Sequence, residues 1–99
     1  MKYEMTGSSL LVHLSGDLDH QTSASLRTTI DKLLSLGGYS EVVFDLSNVT
    51  FIDSSGIGLI LGRYKLLKSL NKTMNIKSPT PSVDKMLTVS GIYTIIRKI

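Results

Sequence analysis

Glu41-Val42-Val43-Phe44-Asp45-Leu46 and, a short link later, Phe51-Ile52-Asp53-Ser54-Ser55-Gly56-Ile57-Gly58 are the most informative segments of the chain. The first is a short run of β-branched and aromatic residues between polar turns, the composition of a strand buried on both faces. The second carries turn and capping chemistry into a stretch where Ile57, Ile60, Leu61, Tyr64 and Leu67 mark one helical face. Together they predict a central strand over 41–46, a link over 47–51, and a helix that begins near Ser54 and stops by Asn71.

Toward the N-terminus, Leu26, Ile30, Leu33 and Leu34 recur at helical spacing, and Gly37-Gly38 ends the pattern, so a helix is expected over 22–36. Before it, Lys2–Thr6 and Leu10–Ser15 are apolar or alternating. Gly7-Ser8-Ser9 between them has turn chemistry, which predicts an antiparallel hairpin. Toward the C-terminus, Met74–Lys77 reads as a strand, and Pro81 opens a helix through Val83, Met86 and Leu87. Gly91 closes that helix before a last strand over Tyr93–Arg97. The order β-β-α-β-α-β-α-β implies an α/β fold: a mixed sheet, parallel after its hairpin, with helices packed against it through right-handed crossovers.

Ninety-nine residues with 41% hydrophobic content supply one core, so one domain over 1–99 is expected. The absence of cysteine leaves no disulfide framework or thiolate metal site and suits a reducing compartment. The N-terminus has no apolar signal core, and the longest greasy run, Ile57 to Leu61, is far too short to span a bilayer. A cytoplasmic protein without membrane contact is the expectation. Charge is uneven: residues 1–53 carry three basic and seven acidic side chains, residues 54–99 eight basic and one acidic. Arg63, Lys65, Lys68 and Lys72 are spread around a helix rather than stacked in a stripe with aromatics, which favours a solvated helix face over direct nucleic-acid contact.

The candidate chemistry gathers at Asp53–Gly58. Ser54 falls at or beside a helix N-cap, where unpaired amides and the helix dipole favour negative charge and a phosphate is tolerated. Simple capping by Asp53 and Ser54 explains the same residues. Gly56 and Gly58 weaken the first turn by about 1 kcal/mol each relative to alanine, so a close approach must compensate. That approach is either the helix packing on its own sheet, with Gly58 and Gly62 as a small face, or another protein docking over Ser54. Gly16-Asp17-Leu18-Asp19-His20 ends the second strand and in an α/β layer can lie beside the Ser54 loop. Asp17 and Asp19 then form an acidic rim, while Asp19 equally suits an N-cap and His20 an ordinary exposed site.

Enzymatic readings fare poorly. A hydrolase elbow needs glycine two residues before its serine, whereas Ile52 precedes Ser54 and Asp53 precedes Ser55 at that spacing. His13 and His20 both come before the serine. Gly56-x-Gly58-x-x-x-Gly62 departs from the dinucleotide fingerprint and from the P-loop. Asp45, at a strand end, lacks the early acidic pair of a phospho-accepting receiver. No cofactor and no metal are expected.

Asp53-Ser54-Ser55-Gly56-Ile57-Gly58, continuing through Leu61-Gly62-Arg63-Tyr64-Lys65, resembles the signature of STAS-domain anti-sigma factor antagonists. Gly16–His20, Ser90-Gly91 and Ile95-Ile96-Arg97 extend the likeness over nearly the whole chain, nearest to the sporulation branch of that family. The resemblance implies a switch. The unphosphorylated protein binds an ATP- or ADP-bound anti-sigma factor that doubles as a serine kinase, and releases the sigma factor so that transcription proceeds. Phosphorylation of Ser54 ends this, and a PP2C-type phosphatase restores it. Asp17, Asp19, His20, Asp53, Ser55, Gly56, Ile57 and Gly58 are the implied partner-binding residues. The family also implies a C-terminal helix beyond the last strand, which this sequence does not reach at Ile99. A phosphorylation-independent module that senses a small molecule or nucleotide, and an enzyme built on Ser54 and Asp53, remain as alternatives.

Overall fold

The computed structural model describes residues 1–99. Strands β1 (Lys2–Thr6) and β2 (Ser9–Leu18) are followed by α1 (His20–Leu34), β3 (Glu41–Ile52), α2 (Ser54–Ser69), β4 (Thr73–Lys77) and α3 (Pro81–Ser90). A 3-10 turn over Ile92–Thr94 leads into β5 (Arg97–Lys98). The strands lie in the sheet in chain order, with β1–β2 antiparallel and each later pair parallel. Right-handed crossovers that always step in one direction place all three helices on one face of the sheet.

Burial follows from that one-sided cover. Leu10, Val12 and Leu14 of β2, Val42, Phe44 and Leu46 of β3, and Met74 and Ile76 of β4 point toward the helices and are buried. They meet Ile30, Leu33 and Leu34 of α1, Leu59, Ile60 and Leu67 of α2, and Val83 and Leu87 of α3 in one core. The opposite face is largely polar, around the apolar pair Leu11 and Val43 at its centre. His13 on β2 sits between Glu4 of β1 and Asp45 of β3, with ring nitrogens 3.1 Å from Glu4 Oε1 and 2.7 Å from Asp45 Oδ2.

Besides β2, which runs on through Leu18 rather than stopping at Ser15, and α1, which ends at Leu34 rather than residue 36, three boundaries differ from the sequence expectation. First, residues 47–51 are not a link, because β3 runs on to Ile52. Between His13 and Ser15, and again between Gly16 and Asp17, β2 advances by one residue fewer than its partner, so β3 absorbs two bulges. Its buried positions therefore slip from 42, 44 and 46 to 49 and 52, and the broken alternation hides the strand. Second, α1 starts at His20 rather than Thr22. Asp19 caps it by accepting from the amides of Gln21 and Thr22, and Thr22 Oγ1 accepts from the Asp19 amide in return. Third, Tyr93–Arg97 is not a strand. After Gly91 at φ 81°, Ile92 and Ile96 are buried at a four-residue spacing and the Ile96 amide donates to the Ile92 carbonyl at 2.9 Å, which coils the segment and leaves only Arg97–Lys98 in the sheet.

Candidate functional site

The C-terminal ends of two adjacent parallel strands bring the site loops together. Leu18 pairs with Ile52 in register, and the Asp53 amide donates to the Leu18 carbonyl at 3.2 Å. The β2–α1 junction at Asp19 and the β3–α2 junction at Asp53 are thus stitched side by side at the end of the sheet where the crossover helices begin.

Asp53 is the N-cap of α2. One carboxylate oxygen accepts from the amides of Ser55 at 2.8 Å and Gly56 at 3.2 Å. Capping is therefore performed by Asp53, and Ser54, the first residue of the helix, is exposed with its hydroxyl free of that duty. Asp19 occupies the equivalent place on α1, and His20 is the exposed first residue of that helix. Asp17 is exposed and accepts from Thr50 Oγ1 at 2.8 Å, so its carboxylate is anchored to β3. Carboxylates at both caps lie where the helix dipoles favour negative charge, and with Asp17 they rim the surface around Ser54.

The glycines divide. Gly56 is buried, and a Cβ there would lie 2.2 Å from the Leu18 carbonyl oxygen and 2.7 Å from Ile52 Cγ1. The close approach that the sequence demands at this residue is α2 seating on β2 and β3. Gly56 lies beneath the surface, whereas Ile57 and Ser55 are partly exposed and Gly58 is exposed. Gly58 and Gly62 do not pack on the sheet at all: a Cβ at either would meet nothing within 4 Å. They open onto a groove of about 450 Å³ between α1 and α2, which Ser55, His20, Ser23 and Ala24 also line.

Two residues were misread in the sequence, Arg63 as part of a solvated helix face and Phe51 as part of a link. Arg63 is not on a solvated face; it is 6% exposed and reaches Asp31 of α1. Its place four residues after Leu59, on the buried side of α2, was the available signal. Phe51 is half exposed at the end of β3, opposite Asp17 in the pairing. It would have stood out as an apolar residue facing solvent had the strand been carried past Leu46. No helix is long and apolar enough to cross a membrane.

The sequence matches the STAS domain over residues 1–99. The chain belongs to the STAS domain family. Among curated STAS relatives, the anti-sigma F factor antagonist of Paenibacillus polymyxa is 41% identical over 86 residues, covering 87% of this chain and 74% of that one. The anti-sigma F factor antagonist of Lysinibacillus sphaericus is 30% identical over 88 residues, covering 89% of this chain and 75% of that one. The solved structure of the anti-sigma factor antagonist SpoIIAA in its unphosphorylated form superposes with a TM-score of 0.80 at 28% identity, over 99% of this chain and 86% of that one. The phosphorylated form of the Bacillus cell fate determinant SpoIIAA gives 0.71 at 27% identity, over 99% and 89%. The α/β element order read from the sequence and the STAS fold implied by the motif resemblance are both observed.

Proposed function

We propose that this STAS domain is an anti-sigma factor antagonist whose docking surface is the paired Asp19 and Ser54 loops, and that phosphorylation of Ser54 switches it off. The observation that carries the reading is the position of Ser54, exposed at the start of α2 while Asp53 does the capping. A hydroxyl so placed can be modified without dismantling the helix start. The relatives support the same reading: two are named anti-sigma F factor antagonists, and a structural neighbour was solved in phosphorylated and unphosphorylated forms.

In the proposed cycle the free hydroxyl form docks on an anti-sigma factor that carries serine kinase activity, and the sigma factor is released. Asp17, Asp19 and His20 contribute from one loop, and Asp53, Ser55, Ile57 and Gly58 from the other, with Gly56 holding the second loop in place from below. The phosphoryl group adds about −1.5 to −2 charge beside Asp53 and close to the acidic rim, so docking meets repulsion and uncompensated desolvation. A tenfold loss of affinity needs only about 1.4 kcal/mol, well within what a misplaced phosphate costs at an interface. No refolding of the domain is required, and a phosphatase of the PP2C type would reset the switch. The proposed cycle requires no bond-making by this chain.

The test is intact mass and peptide mapping after incubation with an anti-sigma kinase and ATP. A single phosphoryl group at Ser54 is expected. An unmodified chain that still binds the kinase would replace the switch with a phosphorylation-independent interaction module. In a binding titration, Ser54→Asp should weaken docking at least about tenfold while Ser54→Ala stays near wild type.

A further inference from the structure

The groove between α1 and α2 extends away from the Ser54 surface and ends on positive charge. Both helices follow parallel strands and run in the same sense. His20 and Ser55 stand at their N-terminal ends, while Arg27 and Arg63, seven and eight residues further along, line the far part of the same groove. At the helical rise this separates the two ends by about 10–12 Å.

Arg63 is the unusual element. Its side chain is only 8% exposed, yet its guanidinium is poorly satisfied. Nε lies 3.0 Å from Asp31 Oδ1, but the N–H is not directed at that oxygen, and both atoms are buried without a hydrogen bond. Asp31 is shared: Arg27 Nε stands 3.9 Å from its other oxygen. One half-exposed carboxylate thus faces two guanidinium groups, and the far end of the groove keeps a net positive charge with donors to spare. A buried arginine left in this condition costs stability unless a further acceptor completes it.

The walls leave room for that acceptor. Gly58 and Gly62 contribute no side chain, and nothing stands within 4 Å of where their Cβ atoms would be. A groove of about 450 Å³ falls in the size range of small-molecule sites. Serine hydroxyls at positions 23 and 55 line the near part. Forked guanidinium donors, hydroxyls and no acid other than Asp31 are the chemistry that grips a compact oxyanion.

We infer that the α1–α2 groove is a binding site for a small anionic molecule, its phosphate or carboxylate group held by Arg63 and Arg27 and its body lying over Gly58 and Gly62. This site shares His20, Ser55 and Gly58 with the proposed docking surface and extends beyond it to Arg27 and Arg63, so an occupant lies directly beneath the proposed interface.

The experiment is a titration of the full chain followed by amide and arginine Nε–H resonances, with inorganic phosphate in one arm and succinate in the other. A saturable response confined to Ser55, Gly58, Gly62 and the Arg63 Nε–H is expected. Response to phosphate alone identifies a phosphorylated ligand class, and response to succinate alone a carboxylic acid. Arg27→Gln, at an exposed side chain, should weaken binding about tenfold, and Gly62→Leu should abolish it by filling the groove. Neither change touches the core, so each variant's spectrum reports its own folding. The inference is overturned if neither anion gives a saturable response there, or if the response survives both substitutions.

Discussion

At the scale of single residues, the glycines of α2 have opposite roles although the sequence presents them alike. Gly56 is irreplaceable on steric grounds, because the Leu18 carbonyl occupies the space of a side chain. Gly56→Ala should cost about 2–4 kcal/mol, read as a drop in the urea midpoint at unchanged slope. Gly58→Ala and Gly62→Ala face open space and should each stabilise the isolated domain by up to about 1 kcal/mol, the ordinary gain of alanine over glycine in a helix. If all three substitutions behave alike, the assigned seating of α2 is wrong. Asp53→Ala removes the acceptor of two amides and should cost about 1 kcal/mol, measured on the same denaturation curves. The motif was legible because capping residues and glycines are conspicuous. Which glycine is packed was not, since that depends on the height at which α2 meets β2, a tertiary quantity.

At the scale of elements, the uncovered sheet face carries its own charge network. Donation from the His13 ring to the Glu4 carboxylate, then to that of Asp45, raises the His13 pKa above its usual 6.5. Burial pushes Asp45 up, but the Ser47 amide and His13 outweigh it and leave the carboxyl below its usual 3.8. The raised His13 contributes stability that is full below its unfolded pKa and fades as pH rises through the folded one. The depressed Asp45 contributes above its unfolded pKa and fades as pH falls through its folded one. The trio thus ties β1, β2 and β3 together most firmly in the window between, near about pH 5. Denaturation of wild type and His13→Gln across pH should show their difference greatest there and shrinking above neutrality. A gap that widens toward high pH would contradict it. These contacts were out of reach of periodicity, which assigns His13 to a strand but cannot say what stands on the neighbouring ones. The same limit explains β3: bulges set by its pairing with β2 break the alternation by which a strand is recognised, so its second half reads as a loop.

At the scale of the whole molecule, element order predicted helices packed on a mixed sheet, but their common face follows from the strand order β1-β2-β3-β4-β5, which sequential right-handed crossovers cover from one side. Composition then marked β3 as central, and Phe44 at its middle is fully buried. Phe44→Ala should cost about 3–5 kcal/mol and broaden the spectra of all three helices, since each packs on that layer. Loss confined to one helix would mean the core is not a single unit. The groove with Arg63 was illegible for the converse reason: it lies between elements, and its buried cation sits beside Lys65 and Lys68, which are exposed. The pairing of Leu18 with Ile52 has a kinetic consequence. The two halves of the Ser54 surface are 34 residues apart in the chain and meet only when the parallel β2–β3 ladder has closed, a non-local contact of the kind that forms slowly. Under the proposed switch, a kinase that docks on both loops at once would read the completed ladder as well, so nascent or partly unfolded copies would be neither bound nor modified, and the phosphorylated pool would count only finished molecules.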